Sequence, residues 1–158
     1  MLAHAPLDGR PPGHPLAAGP PPAGELLRAA YVSAAPRDLR EDELVAILEV
    51  SRRDNVTRGV TGVLCYHERG FVQVLEGPEA AVEALLVTIA RDPRHTEVTV
   101  FDRARVDERT FGAWSMGWLR ASDLSRAGLD PGVLFLRNTP DAVVNALLEA
   151  FRLTMRVA

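Results

Sequence analysis

Apolar positions recur along this chain with two different periods. From Leu26 to Ser33 the run LLRAAYVS is short, apolar and bounded by turn-forming residues, which predicts a strand. Between Glu41 and Asp54, the positions Leu44, Ile47, Leu48 and Ser51 fall at helical spacing with charges between them, which predicts a helix. Asp38 followed by Glu41 is a candidate capping box at its start. Two β-rich runs, Gly59 to His67 and Phe71 to Glu76, flank Glu68-Arg69-Gly70 and predict a hairpin. Pro78 sits where a second helix begins, because its missing N–H costs nothing there. Val82, Leu85, Leu86 and Ile89 give that helix its apolar face, and Asp92-Pro93 ends it. Thr96 to Val106 alternates as a fourth strand, and Thr110 to Trp118 holds a short fifth.

The order β-α-β-β-α-β(β) predicts an α+β, ferredoxin-like sandwich. Right-handed crossovers put both helices on one face of the sheet, with the first and third strands adjacent at its centre. The other face needs separate cover. Asp141 to Met155 carries Val144, Leu147, Leu148, Phe151 and Met155 on one side of a predicted helix. This helix, with the segment Leu124 to Leu136, is expected to pack on the second face or on another subunit. The apolar stripe Val144, Leu148, Phe151 and Met155 predicts a homo-oligomer, at least a dimer. Residues 1–24 hold seven of the twelve Pro and four of the twelve Gly, so they are predicted to form a disordered arm. The domain then runs over 25–120, with a helical extension over 121–158.

Composition narrows the chemistry. All 18 basic residues are Arg, so Schiff-base and P-loop chemistry, which need a Lys, are excluded. A net charge of −3 gives no global positive field for nucleic acid. One cysteine, Cys65, rules out a disulfide framework or a Cys-rich zinc site. No apolar run approaches a membrane span and no secretory signal is legible, which predicts a cytoplasmic protein.

The third strand is the informative one. Phe71, Gln73 and Leu75 point to one face, Val72, Val74 and Glu76 to the other. Gln73, the only Gln in the chain, therefore sits among apolar neighbours and needs partners. Leu27, Ala29, Tyr31 and Ser33 share a face of the first strand, so a suitable register pairs the Tyr31 phenol with the Gln73 amide. That pair either satisfies itself or addresses a ligand between the helices. Asn55 either caps the first helix in the left-handed conformation or offers its amide to a heterocycle edge. Trp114-Ser115-Met116 alone reads as edge packing, and Cys65 as a buried, inert thiol.

Together these pieces resemble a known family. Tyr31-Val32-Ser33, Ile47-Leu48, Ser51-Arg52-Arg53-Asp54-Asn55, Gly59-Val60-Thr61-Gly62-Val63-Leu64-Cys65-Tyr66, Phe71-Val72-Gln73-Val74-Leu75-Glu76-Gly77, Asp92-Pro93-Arg94-His95 and Trp114-Ser115-Met116 follow, in order and spacing, the pattern of BLUF domains, the flavin-binding blue-light sensors. The resemblance covers about residues 26 to 120. It implies a non-covalent FAD with its isoalloxazine ring between the two helices. It implies that Tyr31 is the photochemical electron and proton donor, and that Gln73 is the amide that rearranges or tautomerises between Tyr31 and the flavin N5/O4 edge. Asn55 matches the residue that bonds the pyrimidine side of the ring. Ile47, Leu64, Phe71 and Ile89 match apolar walls, Arg94 and His95 match positions near the cofactor, and Trp114 and Met116 match a pair proposed to relay the signal. Two positions depart from the pattern. Asp54 stands where many relatives have Asn or another neutral residue, and Thr88 where many have Arg.

The resemblance implies a photoreceptor rather than an enzyme, signalling to a separate protein partner, since the residues after 120 are too few for an effector domain. No cysteine adduct is expected on illumination. Two other functions compete. Glu76-Gly77-Pro78-Glu79 looks like part of an acylphosphatase-like hydrolase, but Ser33-Ala34-Ala35-Pro36 lacks the glycines of its phosphate loop and Arg37 is poorly placed. A flavin-free interaction domain is the third reading, favoured only if Asp54 and Thr88 abolish binding.

Overall fold

The computed structural model describes residues 26–112 and 115–126, with Gly128, Asn145 and Leu147. The elements are β1 (Leu26–Ala34), α1 (Glu41–Arg58), β2 (Thr61–His67), β3 (Gly70–Pro78), α2 (Glu79–Arg91), β4 (Thr96–Val106), β5 (Gly117–Leu119) and α3 (Ala121–Arg126). The sheet order is β4-β1-β3-β2-β5. β1, β3, β2 and β4 pair antiparallel and β5 joins β2 in parallel. This is the ferredoxin-like α+β arrangement, with β1 and β3 central as expected.

The period-two pattern sorts the strands into two cores. On the helix side, Leu27, Ala29, Tyr31, Leu64, Phe71 and Leu75 meet Leu44, Ile47 and Leu48 of α1 and Val82 and Leu86 of α2. On the other side, Ala30, Val63, Cys65, Val72 and Val74 meet Phe111, Leu119, Leu124 and Leu147. The second face is therefore covered by this chain's own C-terminal residues. The predicted arm over 1–24, Trp114, most of the run 127–144 and most of the predicted last helix lie outside the described residues.

Five local expectations are corrected. α1 runs a turn beyond Asp54 to Arg58, and β2 starts at Thr61 rather than Gly59. Gly59, at φ 69°, takes the left-handed cap position that one of the two readings gave to Asn55, because a residue without Cβ adopts it at no steric cost. The helix start uses Glu43, whose Oε2 accepts the Arg40 N–H at 2.8 Å, while Asp38 accepts the Tyr66 hydroxyl at 2.7 Å instead. The hairpin turn is Glu68-Arg69, both with positive φ, and Gly70 is already in β3. Such a two-residue turn matches the strand twist. Arg69 secures it by donating to Ala35 O at 3.1 Å and Pro36 O at 3.0 Å.

Candidate functional site

The floor of the site is fixed by register. Tyr31 lies opposite Gln73 across β1 and β3, and Leu64 lies opposite Gln73 across β2 and β3. Pairing shifts in β4 fall on both sides of Tyr31, between Ala30 and Tyr31 and between Val32 and Ala34. Tyr31 is 0% exposed and its hydroxyl donates to Gln73 Oε1. Burial pushes its phenol well above the ordinary range, with Asp92 adding to the effect, so the proton stays on in the dark. Gln73 Nε2 donates to Met116 Sδ at 3.2 Å. A thioether is a weak acceptor, so the amide has one strong partner and a donor end poorly used.

Above this floor, α1 and α2 frame a cleft of about 110 Å³. One face of α1 lines it with Ile47, Ser51, Asp54, Asn55 and Arg58. Leu85, Thr88 and Ile89 of α2 lie across from them, with Leu64 and Gln73 below and Asp92, Arg94 and His95 at one end. The cleft thus gathers Ile47, Asn55, Leu64, Gln73, Ile89, Arg94 and His95 from the sequence reading, and also both departures, Asp54 and Thr88. Tyr31 and Phe71 lie behind the lining. Trp114 is outside the described residues.

Asn55 sits inside α1, 1% exposed, and its Nδ2 donates to Ser115 O at 2.8 Å. One turn earlier, the buried Arg52 donates through Nε to Met116 O at 2.8 Å. Burial pulls its guanidinium down. The segment Ser115–Met116 is therefore clasped to α1 twice by its carbonyls and to Gln73 by its sulfur. Sequence reasoning missed Arg52. Its signal was present, since Leu44, Leu48, Arg52 and Asn55 form one continuous helix face on which the last two are polar. It also missed Arg58, Ser51 and Leu85.

At the far end, His95 Nδ1 lies 2.8 Å from Ser33 Oγ. Its ring packs on Phe71 at 4.5 Å and edge-on to Tyr31 at 6.0 Å between centroids. Burial lowers the imidazole, against the opposing pull of Asp92. Asp92 holds Arg94 with both oxygens, Nε at 3.0 Å from Oδ1 and Nη2 at 2.5 Å from Oδ2. Arg94 thus lines the cleft with its charge already matched.

Two groups of the second face are excluded from this site by the sheet itself. Cys65 is buried there and its thiol is pushed up to about 12 by burial, with Asp123 adding, so it stays protonated. Glu76, 0% exposed, accepts the Thr110 and Phe111 N–H groups at 2.8 and 2.9 Å. Arg109 beside it donates to Glu76 O at 3.1 Å and Gly59 O at 2.7 Å. These bonds pin the β4–β5 connection, which carries Met116, to the end of the strand that carries Gln73.

A family model described as BLUF, sensors of blue-light using FAD, matches residues 26–117. The photoactivated adenylate cyclase subunit beta of Euglena gracilis is 38% identical over 92 residues, which are 58% of this chain but 11% of that protein. The chain spans only that small part of its curated relative, so the cyclase activity named there belongs to the relative. Among solved structures, the dark state of BlrB, a BLUF protein, superimposes with a TM-score of 0.70 at 32% identity, covering 81% of this chain and 96% of that one. Klebsiella pneumoniae BlrP1 with FMN and cyclic diGMP superimposes with a TM-score of 0.58 at 33% identity, covering 61% of this chain and 26% of that one.

Proposed function

The chain belongs to the BLUF family of blue-light sensors, and from that premise we propose that it holds FAD non-covalently in the α1–α2 cleft and switches through Tyr31 and Gln73. The observation that carries this reading is the Tyr31 phenol bonded to a buried Gln73 amide whose donor end, among the described residues, meets a thioether. A core pair that merely satisfied itself would not leave a good donor so poorly used at the floor of an open cleft. The donor set fits a flavin: the Gln73 and Asn55 amides suit the polar edge of the ring, and Ile47, Leu64 and Ile89 suit its apolar body.

A bound flavin supplies the absorption of blue light and, once excited, the vacancy that takes an electron from a neighbouring phenol. Tyr31 is that phenol. Losing an electron makes a phenol strongly acidic, so its proton moves along the existing bond to Gln73 Oε1. Gln73 then turns or tautomerises, and its Nε2 releases Met116 Sδ. Tyr31 would then regain its electron, and the protonated amide would return one proton to the phenol oxygen, from Oε1 if it has turned or from Nε2 if it has tautomerised, while keeping its second arrangement. A gap of about 1.4 kcal/mol between arrangements already gives a tenfold dark preference. Ser115–Met116, clasped by Arg52 and Asn55, carries the change towards β5 and the second face. The purified protein is expected to be yellow, and blue light is expected to shift its absorption reversibly to the red. A flavin-loaded sample with a light-minus-dark spectrum of zero rejects the reading.

The output is proposed to pass to a separate protein partner. The hydrolase reading has little support, because Arg37, the cation it requires, is exposed and bound to Glu43. Self-association is proposed from the stripe Val144, Leu148, Phe151 and Met155. Light scattering at micromolar concentration is expected to give at least twice the 17.2 kDa of one chain. A monomer mass rejects it.

A further inference from the structure

The cleft is lined by four charged side chains, Asp54, Arg58, Asp92 and Arg94. Three of them are already matched. Arg94 and Asp92 hold each other, and Asp54 Oδ1 accepts from Arg53 Nε at 3.1 Å. Arg58 has no ion pair or hydrogen bond among the described residues. It is the last residue of α1, exposed, at the opposite end of the cleft from Arg94. That end lies where α2 begins, since a Cβ on Gly59 would sit 3.7 Å from Pro78 Cδ. The α2 residues that line the cleft, Leu85, Thr88 and Ile89, add no cation, and the Thr88 hydroxyl is turned back onto Ala84 O at 3.1 Å.

The cleft therefore has an amide-and-apolar interior that suits an uncharged ring, one neutralised end, and one end with a cation available. An isoalloxazine ring with its ribityl chain gives Arg58 nothing to neutralise. A phosphate does, and a guanidinium takes phosphate with paired, charge-assisted hydrogen bonds. We infer that Arg58 binds the phosphate of the flavin nucleotide in this chain and sets its preference for phosphorylated flavins over riboflavin. This rests on the flavin reading above and assigns the role to a residue the sequence pattern did not single out.

The test is a titration of flavin-free protein with riboflavin, FMN and FAD, read by quenching of flavin fluorescence. The wild type is expected to bind FMN about tenfold more tightly than riboflavin, the scale of one charge-assisted contact. Arg58→Gln is expected to bring the two affinities together while leaving that for riboflavin unchanged, which loss of a helix-end interaction alone would not do. Arg58→Lys, which keeps the charge, is expected to restore most of the preference, and added salt to weaken it in the wild type. Equal wild-type affinities, or a preference that survives Arg58→Gln but disappears in Arg94→Gln, overturns the inference and leaves the flavin reading standing. Failure of all three flavins to bind the wild type overturns both.

Discussion

Replacing Gln73 by Leu is expected to leave a yellow protein that no longer shifts to the red under blue light. Leu fills much of the same space beside Leu64 and Phe71, so the apolar walls and Asn55 persist and flavin is retained. The phenol of Tyr31 loses its acceptor, and no other oxygen among the described residues accepts from it. Tyr31→Phe removes the donor instead and is expected to give the same loss by the opposite route, because Phe has no proton to send to Gln73 Oε1. Each variant leaves one buried polar group unpaired, at about 1–3 kcal/mol. A melting temperature lower by several degrees is therefore expected for each. If the bond acts as one unit, the double variant costs less stability than the sum of the singles. The decisive measurement is the light-minus-dark difference spectrum. A wild-type difference spectrum from either single variant means that the switch lies elsewhere.

The pair at the centre of this expectation was half legible in the sequence. Alternation placed Tyr31 and Gln73 on the helix-facing side of their strands, because side-chain direction follows from period alone. That they stand directly opposite each other is a matter of the β1–β3 register, which pairs two residues 42 apart in sequence, and alternation carries no register. The helix-facing role of Asn55 was obscured by its own chemistry. Asn is a good left-handed cap, and only the competing Gly59 four residues later lets α1 continue through it. The clasp on Ser115 and Met116 was invisible for another reason. Arg52 and Asn55 bind backbone carbonyls, which every residue offers alike. Only the polar residues on the buried face of α1 hinted that such acceptors were waiting. Arg58 was hidden because its distinguishing feature is the lack of a counter-ion among the described residues, which appears only when each neighbouring carboxylate there has been assigned.

The largest effect on the fold is expected from Gly62→Ala. Gly62 faces Leu75 in the β2–β3 pairing, two residues before the Leu64–Gln73 pair on the same strand. A Cβ at this position would lie 2.0 Å from Val74 O, 3.0 Å from Val74 C and 3.3 Å from Leu75 Cα. All three are backbone atoms of the central strand β3, so no side-chain rotation relieves the collision. β3 cannot simply withdraw either, since it is paired on its other edge to β1 along Leu26 to Ala34. The added methyl must therefore break part of the β2–β3 ladder. A cost of at least about 4 kcal/mol is expected, in the severe tail for single substitutions and comparable to the whole stability of many domains. Gly59→Ala is the informative contrast. Its Cβ would meet only Pro78 at 3.7 Å, so the penalty is that of a left-handed residue with a side chain, about 1 kcal/mol. Urea unfolding followed by circular dichroism should separate the two, with Gly59→Ala folded and Gly62→Ala largely unfolded or insoluble. A Gly62→Ala protein with a midpoint within error of the wild type would mean that the two strands do not approach this closely. Any fraction that does fold should carry a displaced Gln73, and so a weakened red shift.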